Sequence, residues 1–265
     1  MTVCLKGAIS ILMLQFLCRS FTLDFCCIKN AGCQRVLKGF VMTNVSDQTD
    51  GGKLPESLGD YAYREIQERL IRGAYPPGYK LTVRGVATDL QMGTTPVREA
   101  LNRLTADAVL VHSGPKTVIV PVLDAASLRE ITLTRLALEG MAAEQATAYA
   151  SPEVINQLIE IQERINRSLD QKLYSEVLRH NKEFHFTVYG LAGLPNLIKM
   201  IETLWLRIGS SLHDLYPEFA ETRYGVHNHL AAIEGLNEGD AASVRAAIEN
   251  DIRDGYRRLK KANPR

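Results

Sequence analysis

Four polar side chains in the second half of the sequence have the types and spacing to hold an ion or an anionic ligand. Asn181 and His185 are four residues apart, so on a helix they share one face. His229 and Asp251 fall on the last two predicted helices, separated by a turn at Asn237–Gly239. An inward i, i+4 pair joined by donors from other helices is how helical bundles build cofactor sites. With four donors and one carboxylate, the set suits a divalent zinc, nickel or manganese ion, though it holds the softer metals less well than three histidines would. A lone histidine on an apolar helix is ordinarily a hydrogen-bonded core residue, and His180, His213 and His227 are read that way. It is the joint occurrence of the four that predicts a pocket.

A second set, in the first half, points to different chemistry. Arg84, Thr94, Thr95 and Arg98 fall at the starts of two short predicted helices, and His112 and Lys116 fall in a predicted hairpin. Guanidinium and hydroxyl groups at a helix start are what phosphates and base edges in a DNA groove require. A metal-dependent hydrolase using His185, His229 and Asp251 with Glu183 as base is the alternative. It fares poorly, because Glu183 points about 200° around the helix from Asn181, and the sequence holds no phosphate loop, dinucleotide fingerprint or Ser/His/Asp set.

The elements that must position these residues follow from periodicity. Ala62, Ile66 and Leu70 form the apolar stripe of a first helix that stops near Gly73, and Tyr75-Pro76-Pro77-Gly78 is a turn. Thr82 caps a second helix carrying Val86, Ala87 and Leu90; Thr95 caps a third that begins at Pro96 and turns Val97, Leu101 and Leu104 inward. Two β-rich runs, Val109–His112 and Val118–Val120, flank Ser113-Gly114-Pro115-Lys116 as a hairpin. From Asp124 onward the pattern is helical, with starts at Asp124, Ser151, near Pro195 and at Asp240, giving an antiparallel bundle of about six helices. The fold class is therefore mainly α, a winged helix-turn-helix over 58–121 followed by a helical bundle over 122–265.

Composition agrees with that division. The chain has 265 residues, 46% hydrophobic and 23% charged, as ordinary globular proteins do, and no stretch approaches a transmembrane span. Residues 61–120 carry a net charge of +3 and residues 121–265 a net charge of −3, which suits a DNA reader joined to a module that does not touch DNA. All five cysteines, Cys4, Cys18, Cys26, Cys27 and Cys33, fall in the first 33 residues, in neither a zinc spacing nor an even disulfide set. Residues 1–41 read as an extension from a start codon placed too early, with Met42 opening the protein and a polar leader running to Ser57.

The run from Ile71-Arg72-Gly73 through Pro77-Gly78-Tyr79-Lys80-Leu81 to Thr95-Pro96-Val97-Arg98-Glu99-Ala100-Leu101-Asn102-Arg103-Leu104 resembles the signature of the GntR family of bacterial transcription factors. That resemblance implies that Arg84 and Arg98 contact DNA, with Thr95 on the backbone. Gly93 and Thr94 stand where the family usually has Ser and Arg, and Thr117 stands near its usual wing-tip glycine. Arg135-Leu136-Ala137-Leu138-Glu139, Asn181-Lys182-Glu183-Phe184-His185 and His229 followed by Asp240 resemble the FadR-type C-terminal domain. In that domain an Asp and three His commonly hold a divalent metal beside a carboxylate effector. Here Asn181 stands at the Asp position and Asp251 at that of the last His, while His185 and His229 are retained. The resemblance thus implies a cytoplasmic regulator, a repressor released by a small carboxylate held by Arg135, Asn181, His185 and His229, acting as a homodimer on an inverted-repeat operator.

Overall fold

The computed structural model describes residues 56–215 and 218–262. The cysteine-bearing segment, the start expected at Met42, the leader before Glu56 and the break expected at Pro217 lie outside the described residues.

Ser57 caps helix α1 (Leu58–Ile71), its Oγ accepting from the Asp60 amide, and the stripe Ala62, Ile66 and Leu70 is buried against α3. Thr82 Oγ1 accepts from the Gly85 amide and so starts α2 (Val83–Asp89), as its position predicts. Helix α3 (Thr94–Ala106) begins one residue before the Thr95 cap read from the sequence, on Gly93, which makes no side-chain cap bond. Pro96 still lies in the first turn, where a missing N–H leaves no helical bond unmade. Val97, Ala100, Leu101 and Leu104 turn inward from it.

The hairpin expected after α3 is present and gains a third strand. Strand β1 (Lys80–Thr82) pairs antiparallel with β3 (Thr117–Ile119), which pairs in turn with β2 (Val111–Gly114), in the order β1-β3-β2. Leu81, opposite Val118, supplies the buried side chain of the added strand. A bulge between His112 and Gly114 leaves Pro115 and Lys116 as the tip, so Thr117 sits in the sheet opposite Gly114 and Thr82.

Seven α-helices follow among the described residues. Asp124 caps α4 (Ala125–Ala146) by accepting from the Ser127 amide at 2.7 Å, and Ser151 caps α5 (Pro152–Asp170), with Pro152 in the first turn. Then come α6 (Tyr174–Gly190), α7 (Pro195–Leu212), a short α8 (Glu218–Thr222), α9 (Tyr224–Glu238) and α10 (Ala241–Ala262), the last capped by Asp240. Six are long, in accord with the sequence pattern; α8 falls where the pattern showed only a break. The core of this layer gathers Leu158, Ile161, Phe184, Val188, Tyr189, Ile201 and Trp205. No helix among the described residues is long and apolar enough to cross a membrane.

Helix α1 rests directly on α6 and α7. Lys182 of α6 reaches Glu68 at 3.0 Å, and Ser175 Oγ donates to the Arg72 carbonyl at 3.1 Å. On α7, Gly209 leaves room for Ile71, whose Cδ1 would lie 2.9 Å from any Cβ at that position. Gly73, at φ +74°, turns the chain against His213, whose side chain would lie 2.6 Å from an added Cβ. Both the backbone conformation and the close approach require glycine there.

Candidate nucleic-acid interface and metal centre

An open groove of about 710 Å³ runs between the helix-turn-helix and the wing, and Arg84, Thr94, Arg98, Asn102, His112 and Lys116 line it. Five of these are residues the sequence singles out. Thr95, the sixth, is exposed on the first turn of α3 but does not line the groove. Asn102 was not anticipated, although it stands one turn beyond Arg98, and i, i+4 spacing alone places it on the same face.

The charges in this groove differ from others in the same layer. Arg64 holds Glu56 at 3.1 Å, Arg103 holds Asp60 at 2.7 Å and Arg72 holds Glu176 at 3.5 Å. Arg84, Arg98 and Lys116 are exposed and hold no carboxylate among the described residues. Cations left uncommitted along one concave face, with a helix N-terminal turn aimed into it, are suited to an extended anion such as a phosphate backbone.

In the helical layer, α6, α9 and α10 bring His185, His229 and Asp251 together, with one donor atom from each lying within 4.8 Å of the others. His185 Nε2 lies 3.2 Å from His229 Nε2 and 3.3 Å from Asp251 Oδ2. Both imidazoles are buried, His229 at 2% exposure and His185 at 0%.

Their neighbours determine where the protons sit. Tyr189 spends its hydroxyl hydrogen on Glu139 Oε2 at 2.7 Å, so its oxygen accepts from His185 Nδ1 at 3.0 Å. Gln162 presents Oε1 to His229 Nδ1 at 2.6 Å, and an amide oxygen only accepts. Each ring thus carries its hydrogen on Nδ1 and turns an Nε2 lone pair toward the other ring and toward a carboxylate. Three acceptors converging without a donor repel one another unless a proton or a cation stands among them. Two nitrogens bound to one tetrahedral ion at about 2.0–2.1 Å stand about 3.3 Å apart, so the observed 3.2 Å fits a shared metal. The donor set passes that test.

A proton among the three groups would act as a cation does. Burial, with the charge of a protonated His185 added, pushes His229 down to about 3, against the pull of Asp251. Burial would raise the Asp251 carboxyl, but the hydrogen bond and charge of a protonated His185, backed by His229 and Arg135, hold it below its ordinary value. Burial and then Glu139 push the Tyr189 phenol well up, keeping it a donor.

Arg135, predicted as an effector contact, is engaged as its i, i+4 spacing from Glu139 foreshadows: Nε donates to Oε1 at 2.5 Å and Nη2 to Oε2 at 3.2 Å. Trp205 Nε1 also donates to Glu139, at 2.9 Å, and its ring lies under the guanidinium. Beside the histidine cluster, Arg135, Asn181, Asp251, Thr132, Trp205 and Tyr256 line a cavity of about 40 Å³ together with Leu212 and Leu215. Asn181 lines the same cavity as Asp251 and Arg135. Gln162, Tyr189 and Trp205 were not anticipated at the site, whereas the Arg135–Glu139 pair follows from its i, i+4 spacing.

Glu183 faces elsewhere. It holds Arg164 at 2.5 Å and His180 Nδ1 at 3.2 Å, so it is no base for a reaction at His185.

Two family models match parts of the chain. Residues 58–118 match the family described as bacterial regulatory proteins, gntR family, and residues 130–254 match the FCD domain. The chain is 31% identical over 186 residues to the HTH-type transcriptional regulator McbR of Escherichia coli K12, spanning 69% of this chain and 84% of that protein. It is 31% identical over 134 residues to the Nta operon transcriptional regulator of Aminobacter aminovorans, spanning 51% of this chain and 63% of that protein. The solved structure of E. coli McbR/YncC superposes with a TM-score of 0.73 at 28% identity, covering 78% of this chain and 99% of that one. A regulator from Rhodococcus sp. RHA1 shares the fold with a TM-score of 0.66 at 16% identity. These relatives are transcriptional regulators, not enzymes, and the hydrolase reading has no support among them.

Proposed function

Because the chain belongs to the gntR family of bacterial regulatory proteins and joins that DNA-binding helix-turn-helix to an FCD domain, we propose that it is a cytoplasmic repressor whose grip on its operator is released by a small carboxylate effector. The observation that carries the sensing half is the convergence of the His185 and His229 Nε2 lone pairs with the Asp251 carboxylate. His185, His229 and Asp251 would hold a divalent zinc, nickel or manganese ion, with Asn181 on the adjoining wall. Bound there, the ion would supply the positive charge that an anionic ligand needs beside Asp251.

Arg135 already neutralises Glu139, so it offers a carboxylate only the part of its guanidinium that Glu139 leaves free. The polar end of the cavity takes the effector's head, and Leu178, Ile208, Leu212, Leu215 and Ile252 fit an apolar body. At about 40 Å³ the cavity holds only a few waters. An effector must therefore displace the end of α7 and the His213–Leu215 turn, where His213 packs on Gly73 below the helix-turn-helix. Pressure at that contact is how occupancy of the site reaches the DNA-reading layer.

On DNA, Arg84, Thr94, Thr95 and Arg98 read one half-site, and His112 and Lys116 hold the flanking backbone from the wing. One short recognition helix reads few base pairs, so two copies on an inverted repeat supply the specificity. The copies meet through the helical layer. Leu133, Ala137 and Met141 stand one turn apart on an exposed face of α4, and an antiparallel pair of α4 helices sets Leu133 opposite Met141 around Ala137.

Gel-shift titration on DNA upstream of the protein's own gene tests the reading, with a panel of small carboxylates as competitors. Binding is expected to be specific and salt-sensitive and released by a carboxylate. The double variant His185→Ala/His229→Ala should keep operator binding and lose the release. A double variant that still responds would overturn the sensing half, and a wild-type protein without sequence preference would overturn the whole.

A further inference from the structure

We propose that Gln162 of α5 is a positioning residue for this site: it fixes the proton of His229 on Nδ1 and thereby aims the Nε2 lone pair at His185 and Asp251. The inference rests on the metal reading above and names the residue that makes His229 a competent ligand.

Gln162 is buried at 2% exposure, on a helix that contributes none of the three clustered donors. Its amide is oriented from the far side: Nε2 donates to Asn166 Oδ1 at 3.0 Å, one turn along α5. That bond leaves Oε1 facing His229 Nδ1 at 2.6 Å. Because Oε1 has no hydrogen to give, the ring must supply one from Nδ1, and its other nitrogen is left as an acceptor. The ring plane is set independently by stacking on Phe184, at 4.0 Å between centroids and 10° between planes. Stacking alone leaves the tautomer open. Without the Gln162 acceptor, His229 is free to carry its proton on Nε2, where it would bond to His185 Nε2 and close the site to a cation. The partner histidine is fixed separately, by Tyr189 and Glu139, so removing Gln162 leaves that half in place. Outer acceptors of this kind typically account for 10–100-fold in metal affinity.

The full-length chain tests this by two readouts. Long-range 15N–1H NMR on the metal-free protein should show His229 as the Nδ1–H tautomer in the wild type and shifted toward Nε2–H in Gln162→Leu, whose side chain is of similar size with no acceptor. Zinc titration against a competing chelator should show Gln162→Leu binding 10–100-fold more weakly. Gln162→Glu, which restores an acceptor, should bind as tightly as the wild type or more so. The proposal is overturned by an Nε2–H tautomer in the wild type, by unchanged zinc affinity in Gln162→Leu, or by equal loss in the Leu and Glu variants, which would mark a packing role only. Should Gln162→Leu fail to fold, the wild-type tautomer and the Gln162→Glu affinity still decide it. A wild-type protein that binds no zinc yet shows the Nδ1–H tautomer removes the metal reading and supports the assignment of Gln162.

Discussion

In the groove between α2, α3 and the wing, Arg84, Arg98 and Lys116 stand exposed and hold no carboxylate among the described residues. In the bundle, by contrast, Arg135, Glu139, Tyr189, Trp205 and His185 form one hydrogen-bonded chain and Gln162 and His229 another, and the two end on facing lone pairs. The first region keeps its charges in water until an anion arrives. The second is buried and pairs these side chains with one another, save for the point where a cation fits. Removing a side chain from the groove should therefore cost binding and not stability. A cut in the buried chain should cost stability first.

The largest effect is expected from Glu139→Leu. It strands the buried Arg135 and removes the acceptor of Tyr189 and Trp205, so unfolding in urea should show a loss of about 3–5 kcal/mol. A loss below about 1 kcal/mol would mean that the network is not closed. The pH response comes next. The unfolded His229 takes up a proton near 6.5, while the folded one does so only near 3. Between those values the unfolded state binds more protons, so the metal-free protein is at full stability above pH 6.5 and loses it progressively as pH falls toward 3. Thermal melts across that range should show the decline, and His229→Asn should flatten it.

For Arg98→Ala the sign of the comparison reverses. Operator affinity should fall by about 1–3 kcal/mol, with relaxed preference at one position of each half-site, while unfolding stability stays within about 0.5 kcal/mol. Unchanged affinity would move base reading to Arg84 or Asn102. The smallest effect belongs to Lys116→Ala on the wing, which should weaken all sequences alike and reduce the salt dependence of binding by about one phosphate contact.

The two regions also differ in how far they could be read from the sequence. The groove rests on local rules: Thr82 caps α2 where its position says, Ala62, Ile66 and Leu70 form a buried stripe, and helix geometry places Arg98 on the exposed side of α3. Local rules miss short or unpatterned pieces. Strand β1 is three residues long, too short for alternation to register, and α3 starts on a glycine cap that offers no side-chain signal. In the bundle, the spacing of Asn181 and His185 and of Arg135 and Glu139 is visible because each pair lies on one helix. The bond from Gln162 to His229 joins residues 67 apart on α5 and α9, and the Trp205 bond to Glu139 spans 66. No periodicity marks such a bond, so the clustered donors were legible and the groups that orient them were not.

The most direct measurement is elemental analysis of native protein purified without chelators, set beside His185→Ala/His229→Ala prepared in the same way. The facing lone pairs of His185 and His229 predict about one equivalent of zinc, nickel or manganese per chain in the wild type and none in the double variant. A wild-type protein free of metal would contradict the account, as would a double variant that retains its full complement.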